Sequence, residues 1–408
     1  MEEMENVLLE RIVQRQINAN EKILEEIGKM LGETGDLIPS QAYTIGQQLK
    51  YGESLDKIVK TLAKNSRISE KEIYEMLEKE AMKNLELKKI YFKAKNIDYI
   101  PYRKNKELQA LVERISTATL QAYRNISRTT GITYLDALGN EVTKPIIEAY
   151  RDIVDIAILN VSTGKETFYQ GLKRQLNTIG KNGIQSIEYE SGHHRRIDSA
   201  LRMNLSDGLN ELSMAQQELI GQQFESDGKE ITVHLYPAPD HEDVQGHLFT
   251  NEEFMKLQED GVATDINGNE YDMHLHYDSF RPIGEMNCYH NAFSIVLGVD
   301  EPRYTQEELN KIKEDNKKGF EYEGKHYSLY QGSQLQRRLE LEIRKTRETD
   351  ILNKSALENT KNEEGKQEIL DAINKNKKRQ QTYFNKYHDL SKISGLPTKL
   401  ERTRLLTK

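Results

Sequence analysis

The chain has 408 residues, 30% charged and 36% hydrophobic, with a formal net charge of -8 at pH 7. That length exceeds one compact core and predicts two to four modules. The apolar share is too high for disorder throughout, and the acidic balance argues against a nucleic-acid binder along its whole length. The single cysteine, Cys288, rules out an internal disulfide and fits a reducing compartment. No run approaches about 18 apolar residues, so no membrane span is expected, and the acidic start Met-Glu-Glu-Met-Glu lacks the basic region of a secretory signal.

In chain order, Leu9, Ile12, Val13, Ile17, Ile23, Leu24, Ile27 and Leu31 recur at three- and four-residue steps and predict a first helix, with Gly32 and Gly35 as its stop. A second helix is expected from about Ser54. A third is expected from Ser69, where Ser69 and Glu72 have capping-box spacing. Ile100-Pro101 breaks the pattern, because proline disfavours helix in the residue before it. Helix is expected again over 106–130, after a turn at Leu138-Gly139-Asn140 over 144–159, and then over 163–184 and 199–224. Ile231 to Tyr236 alternates and is rich in β-branched and aromatic residues, which predicts a strand ended by Pro237 and Pro239. Asn267-Gly268 predicts a hairpin turn; His274 to Tyr277 and Ala292 to Leu297 are further strand candidates. Thr305 with Glu308 is a second capping-box pair, and Glu323-Gly324-Lys325 predicts a tight hairpin between Phe320-Glu321-Tyr322 and His326 to Leu329. Helix from Ser333, a turn over 361–365 and a returning helix through Ile369, Leu370 and Ile373 make an αα-hairpin.

Nucleotide-binding glycine motifs, G-x-S-x-G and H-E-x-x-H are all missing from the sequence. The chemically suggestive set is His234, Asp240, His241, Asp243, His247, His274, His276, Cys288 and His290. Imidazoles and a thiolate suit zinc if they converge, and His241, His247, Cys288 and His290 are the candidate ligands. The competing role is polar contacts that fix an irregular loop. His241, Asn287 and His290 also permit a His-Asn-His nuclease reading, which requires a ββα frame that the pattern does not display. His193-His194-Arg195-Arg196 is a compact basic patch able to meet phosphate, or simply an exposed loop. From Asp371 to Lys408, ten Lys and Arg stand against three acids; such a tail can meet genomic DNA or an acidic protein surface, and a solvated terminal helix would carry the same residues.

Several ordered stretches carry a resemblance. Tyr189 to Gly192 leads to Ile197-Asp198-Ser199-Ala200-Leu201-Arg202. Val233-His234 is followed by Pro239-Asp240-His241 and Gln245-Gly246-His247-Leu248-Phe249. Asn287-Cys288-Tyr289-His290 and Tyr304 to Leu309 come next, then Phe320 to Tyr327, the Gln/Arg-rich helix 334–347 and the ending Gly395-Leu396-Pro397 to Glu401-Arg402-Thr403. In these the chain resembles the phage minor capsid protein 2 family, whose Asn-Cys-Arg-His signature is met here with Tyr289 in place of arginine. The motif positions are Gly192, Asp198, His234, Asp240, His241, Gln245, Gly246, Phe249, Asn287, Cys288 and His290. The central module is similar to the Mu F-like head morphogenesis proteins.

The resemblance implies a low-copy structural head protein of a tailed phage. Its expected place is at or near the portal vertex, with the portal protein and also the major capsid protein as partners, and with no catalytic residues and no cofactor other than the zinc alternative. It would reside in the virion, assembled in the bacterial host cytoplasm. The alternative is a virion-carried DNA binder or a metal-dependent effector delivered with the genome. The expected fold is mainly α with a small α+β module. An extended helical N-terminal part (1–103) and a central helical region (104–229) precede the small α+β, Mu F-like module (230–300). A β-hairpin with a C-terminal helical hairpin and basic tail (301–408) completes the chain.

Overall fold

A computed structural model describes residues 2–35, 45–163, 168–187, 194–276, 280–284, 288 and 290–403. Long helices dominate. The first, α1 (Glu2–Gly35), is followed by α2 (Ile45–Leu87), α3 (Lys89–Ala94) and α4 (Lys106–Arg128). The apolar residues that predicted α1 are all buried, Leu9 through Leu31. They serve two different cores. Leu9, Ile12, Val13 and Ile17 pack with α2, α4 and α7 (Ile197–Gln223), whereas Ile23, Leu24, Ile27, Met30 and Leu31 pack with α5 (Ile146–Thr163), α6 (Phe168–Asn182), α10 (Leu329–Asn359) and α11 (Glu363–Ser394). The helix is therefore a spine shared by both cores.

Gly32 does not stop α1, which continues to Gly35. A Cβ on Gly32 would fall on the Ala356 carbonyl of α10, and one on Gly28 would meet the Leu352 carbonyl. Glycine stands there because two helix backbones cross closely, the separation being set by the side chains at the contact. The expected second and third helices are also one helix. Ser69 lies inside α2, its hydroxyl buried without a hydrogen-bond partner, and the expected box partner Glu72 pairs instead with Arg11 and Arg15 of α1. The break at Pro101 is real: α3 ends at Ala94, a 3-10 turn spans Tyr102–Lys104, and Asn105 caps α4 by accepting from the Leu108 amide.

Within the region expected to be the central helical one, the gaps between the expected helices hold a sheet. Strands β1 (Thr130–Leu135), β2 (Glu141–Pro145), β3 (Ile184–Ile187) and β4 (His194–Arg196) form an antiparallel sheet of order β2-β1-β3-β4. The Leu138-Gly139-Asn140 turn is its β1–β2 hairpin: Asp136 accepts from the amides of Leu138 and Asn140, and Gly139 takes φ +87.

The α+β module is built on β5 (Gly228–Ile231), flanked by β6 (Leu248–Thr250) and β9 (Ala292–Ile295), all antiparallel. Strand β5 ends at Ile231, short of the expected Tyr236: the Thr232 amide still reaches the Asn291 carbonyl beside β9, but the His234 amide turns to the Gln245 side chain across the loop. Helix α8 (Asn251–Asp260), hairpin β7 (Val262–Thr264) and β8 (Glu270–Asp272) complete the module. The hairpin turns at Asn267-Gly268 as expected, with Gly268 at φ +86. Met273–His276 is a 3-10 turn rather than a strand, and Tyr277 lies outside the described residues. Phe249, Leu257, Met273 and Ile283 are among the side chains of this module's own core.

Helix α9 (Gln306–Lys318) starts with the predicted Thr305/Glu308 capping box. Hairpin β10 (Phe320–Tyr322) and β11 (Lys325–Tyr327) turns through Glu323 and Gly324, both at positive φ. Helix α10 begins at Leu329, earlier than Ser333, because Ser328 and Gln331 form a second capping box. Helix α11, capped by Asn362, returns along it as the predicted αα-hairpin, and α12 (Leu400–Thr403) closes the described chain.

Candidate metal centre

Between β5 and β6 the chain makes a loop over residues 232–247. Its base is closed by Gly246 N–H to the Ile231 carbonyl (2.9 Å) and Ile231 N–H to the His247 carbonyl (3.2 Å). Gly246 sits at φ +76, the left-handed region that favours glycine. One flank is stitched to the segment before β9: Thr232 N–H donates to the Asn291 carbonyl (2.8 Å), and Asn291 N–H to the Thr232 hydroxyl (2.9 Å). This stitching brings His234 and His241 against Cys288 and His290. From α7, the Asn210 amide donates to the Cys288 carbonyl.

His241, Cys288 and His290 are 1%, 3% and 4% exposed, so the cluster is sealed from solvent. One donor atom from each lies within 4.8 Å of the other two. His241 Nδ1 is 3.2 Å from Cys288 Sγ, and His290 Nδ1 is 3.5 Å from it. The remaining ring nitrogens are committed. His241 Nε2 lies 2.7 Å from the Arg281 carbonyl, which can only accept, so this nitrogen carries the proton. His290 Nε2 lies 3.1 Å from Gln245 Oε1. That oxygen also accepts from the His234 amide at 2.9 Å, which fixes its role as an acceptor and places the His290 proton on Nε2. Both imidazoles therefore aim an Nδ1 lone pair at the sulfur. Burial pushes both histidines below their ordinary value, His290 strongly, and pushes the Cys288 thiol up.

Asp240 accepts both guanidinium contacts of Arg281, at 2.6 and 2.8 Å, and so holds the residue whose carbonyl orients His241. His234 stands edge-to-face on His290 with ring centres 4.4 Å apart, and its Nε2 is buried without a hydrogen-bond partner. Phe249 is fully buried beneath the loop. Thus Asp240, Gln245, Gly246 and Phe249, singled out as motif positions, are the frame of the histidine–cysteine cluster. Sequence reading named Gln245 without a role and missed Arg281, since nothing local marks a carbonyl 40 residues away as an imidazole's partner.

The other members of the sequence-level set lie elsewhere. His247 Nδ1 faces the Tyr271 hydroxyl (3.0 Å) and Asp265 (3.6 Å). His274 pairs with Asp272 at 2.9 Å in an exposed position, and Asp243 pairs with Lys313 of α9. Asn287 and Tyr289 lie outside the described residues, as do Gly192 and the His276 side chain.

Asp198 belongs to a second buried cluster. It lies at the start of α7, 3.3 Å from Arg196 and 3.1 Å from Arg344 of α10, while Arg196 also pairs with Glu348. Burial alone would raise the Asp198 carboxyl; Arg196, Arg344 and Arg202 outweigh it and hold the group below its ordinary value. Burial pushes Glu348 up, and Arg196 only partly offsets it. The basic patch of the sequence reading is therefore split: His194 and Arg195 are exposed, Arg196 is buried in this ion cluster, and His193 lies outside the described residues.

The comparison that decides the family is a match of the model described as "Phage minor capsid protein 2" over residues 6–384, which takes in both clusters and nearly the whole chain. The chain belongs to the phage minor capsid protein 2 family. Neither a curated protein nor a solved structure matches it. As a member of this family the chain is a phage minor capsid protein and a component of the virion. No helix among the described residues is long and apolar enough to cross a membrane.

Proposed function

We propose that this minor capsid protein is a structural part of head assembly, acting at or near the portal vertex and binding the portal protein and, beside it, the major capsid protein. The observation that carries the reading is the family match across residues 6–384. The sealed state of the histidine–cysteine cluster supports a structural role over the nuclease reading, because His241 and His290 present no face to a substrate. The test is to compare heads assembled with and without portal protein. The reading expects the chain at low copy in complete heads and its loss from portal-free heads, with direct capture by purified portal. Equal incorporation in both kinds of head refutes it.

A second reading rests on α11, where Lys375, Lys377, Lys378 and Arg379 form an exposed basic run. It has this face touching genomic DNA. Phosphate contacts make such binding fall steeply with salt, so an affinity for duplex DNA that is unchanged between 50 and about 200 mM salt counts against it.

A further inference from the structure

We infer that His241, Cys288 and His290 form a structural zinc site, closed by a turn of the neighbouring His234 ring, that locks the 232–247 loop onto the segment leading into β9. His241 Nε2–H and His290 Nε2–H are spent on the Arg281 carbonyl and Gln245 Oε1, so two Nδ1 lone pairs converge on one sulfur. A thiol has one proton and can satisfy only one of them. The other lone pair then faces sulfur lone pairs in a site sealed from water, an arrangement that is unfavourable when buried. A cation at the centre satisfies both nitrogens and the sulfur at once, the thiol proton leaving to solvent as the thiolate–metal bond forms.

With Zn–S near 2.3 Å and Zn–N near 2.0–2.1 Å, a tetrahedral site separates S from N by about 3.5 Å. The observed separations are 3.2 and 3.5 Å. The outer shell fits a metal as well. Metal-bound histidines characteristically donate their second N–H to a carbonyl or carboxylate, which fixes the tautomer. Here the Arg281 carbonyl does so, held by the Arg281–Asp240 pair, and Gln245 does so for its own histidine. His234 lies with its ring against His290 and its buried Nε2 without a hydrogen-bond partner. Its nitrogens stand outside the trio of donors within 4.8 Å of one another, so a turn of this ring toward the metal brings in the fourth ligand and closes the sphere, as in structural rather than catalytic zinc sites.

The experiment uses the full chain purified without chelator, with metal analysis by mass spectrometry and, after stripping, titration with Co(II) as a spectroscopic probe. The inference expects one zinc per chain. Co(II) should give a thiolate-to-cobalt charge-transfer band with intense tetrahedral d–d absorption. Cys288→Ser should lose the band, while His247→Gln, outside the cluster, should keep it. Gln245→Leu should keep the stoichiometry at saturating metal but weaken affinity about 10- to 100-fold, the usual effect of removing an outer-shell partner. If Cys288→Ser does not fold, the wild-type spectrum alone decides. Zinc well below one equivalent with no charge-transfer band overturns the inference, as does copper as the bound metal. A band of octahedral rather than tetrahedral intensity overturns the role of His234.

Discussion

Lys88 gives the sharpest test of how the helical body grips the α+β module. It stands at the break between α2 and α3, and its Nζ donates to the Ser294 carbonyl of β9 at 3.2 Å, lying 4.8 and 5.1 Å from the ring centres of Tyr91 and Phe293. Burial, with Arg303 and Lys229 adding to it and Asp300 and Glu230 opposing, pushes its ammonium down to about 7. Unfolding returns the group to its ordinary value of 10.5. Between these values the unfolded chain binds more protons than the folded one, so stability rises with pH across that window. At about 1.36 kcal/mol per unit, the gain from this one residue is about 4 kcal/mol, good to about one unit of pKa. Lys88→Met keeps the apolar stem and removes the titration. It also leaves the Ser294 carbonyl without this donor, a loss of about 1–2 kcal/mol that does not depend on pH. Urea unfolding of both proteins at intervals from pH 7 to 10 should show the wild type gaining on the variant with each step. Parallel curves would refute the claim that burial rather than the rings governs this lysine.

Gly32→Val should destabilise the fold by about 1–3 kcal/mol or more, because a side chain there meets the Ala356 backbone; a thermal melt reads it. Arg196→Met, which strands Glu348 in the interior and leaves Asp198 to Arg344, should lose about 3–5 kcal/mol in denaturant titration, and the double change Arg196→Met with Glu348→Leu should recover part of it. Burial holds the His247 imidazole below its ordinary value against the pull of Asp265 and Asp243, with the Tyr271 hydroxyl as its close neutral neighbour. The unfolded chain therefore takes up the proton first as pH drops below about 6.5, and stability falls through that window by up to about 1.4 kcal/mol per pH unit. His247→Gln should flatten that part of the curve, and an unchanged acid slope would contradict the assignment.

The parts of the fold that were legible in the sequence are those fixed by near neighbours. The α1 stripe, the Thr305 capping box, the Asn267-Gly268 and Glu323-Gly324 turns and the α10–α11 hairpin all depend on residues within a few positions of one another. The misreadings come from contacts distant in sequence. Gly32 looks like a helix stop because its partner, Ala356, lies more than 300 residues away. Ser69 and Glu72 have capping-box spacing, but Glu72 bonds to arginines on another helix. Strands β1 and β3 carry few alternating positions, since β1 is buried at five successive residues, and a strand buried on both faces shows no period of two.

The same distinction runs through the site. The donor types were readable, because histidine and cysteine crowding one short module is unusual in itself, and His241, Cys288 and His290 do converge. Which histidines join them was not readable. His234 and His247 lie on either side of His241, at comparable distances along the chain, and no periodicity governs a loop. The stitch between Thr232 and Asn291 turns His234 inward, and β6 carries His247 toward Asp265 and Tyr271. The positions flanking the donors make sense only in this light. Asp240 acts through Arg281 and Gln245 through one oxygen shared between the His234 amide and the His290 ring. A loop held together by packing alone would also give both buried N–H groups an acceptor, but it would not turn both Nδ1 lone pairs onto one sulfur. A loop built to present two lone pairs to one thiolate and a cation does so, and the Gln245→Leu affinity measurement separates these two accounts of the same hydrogen bonds.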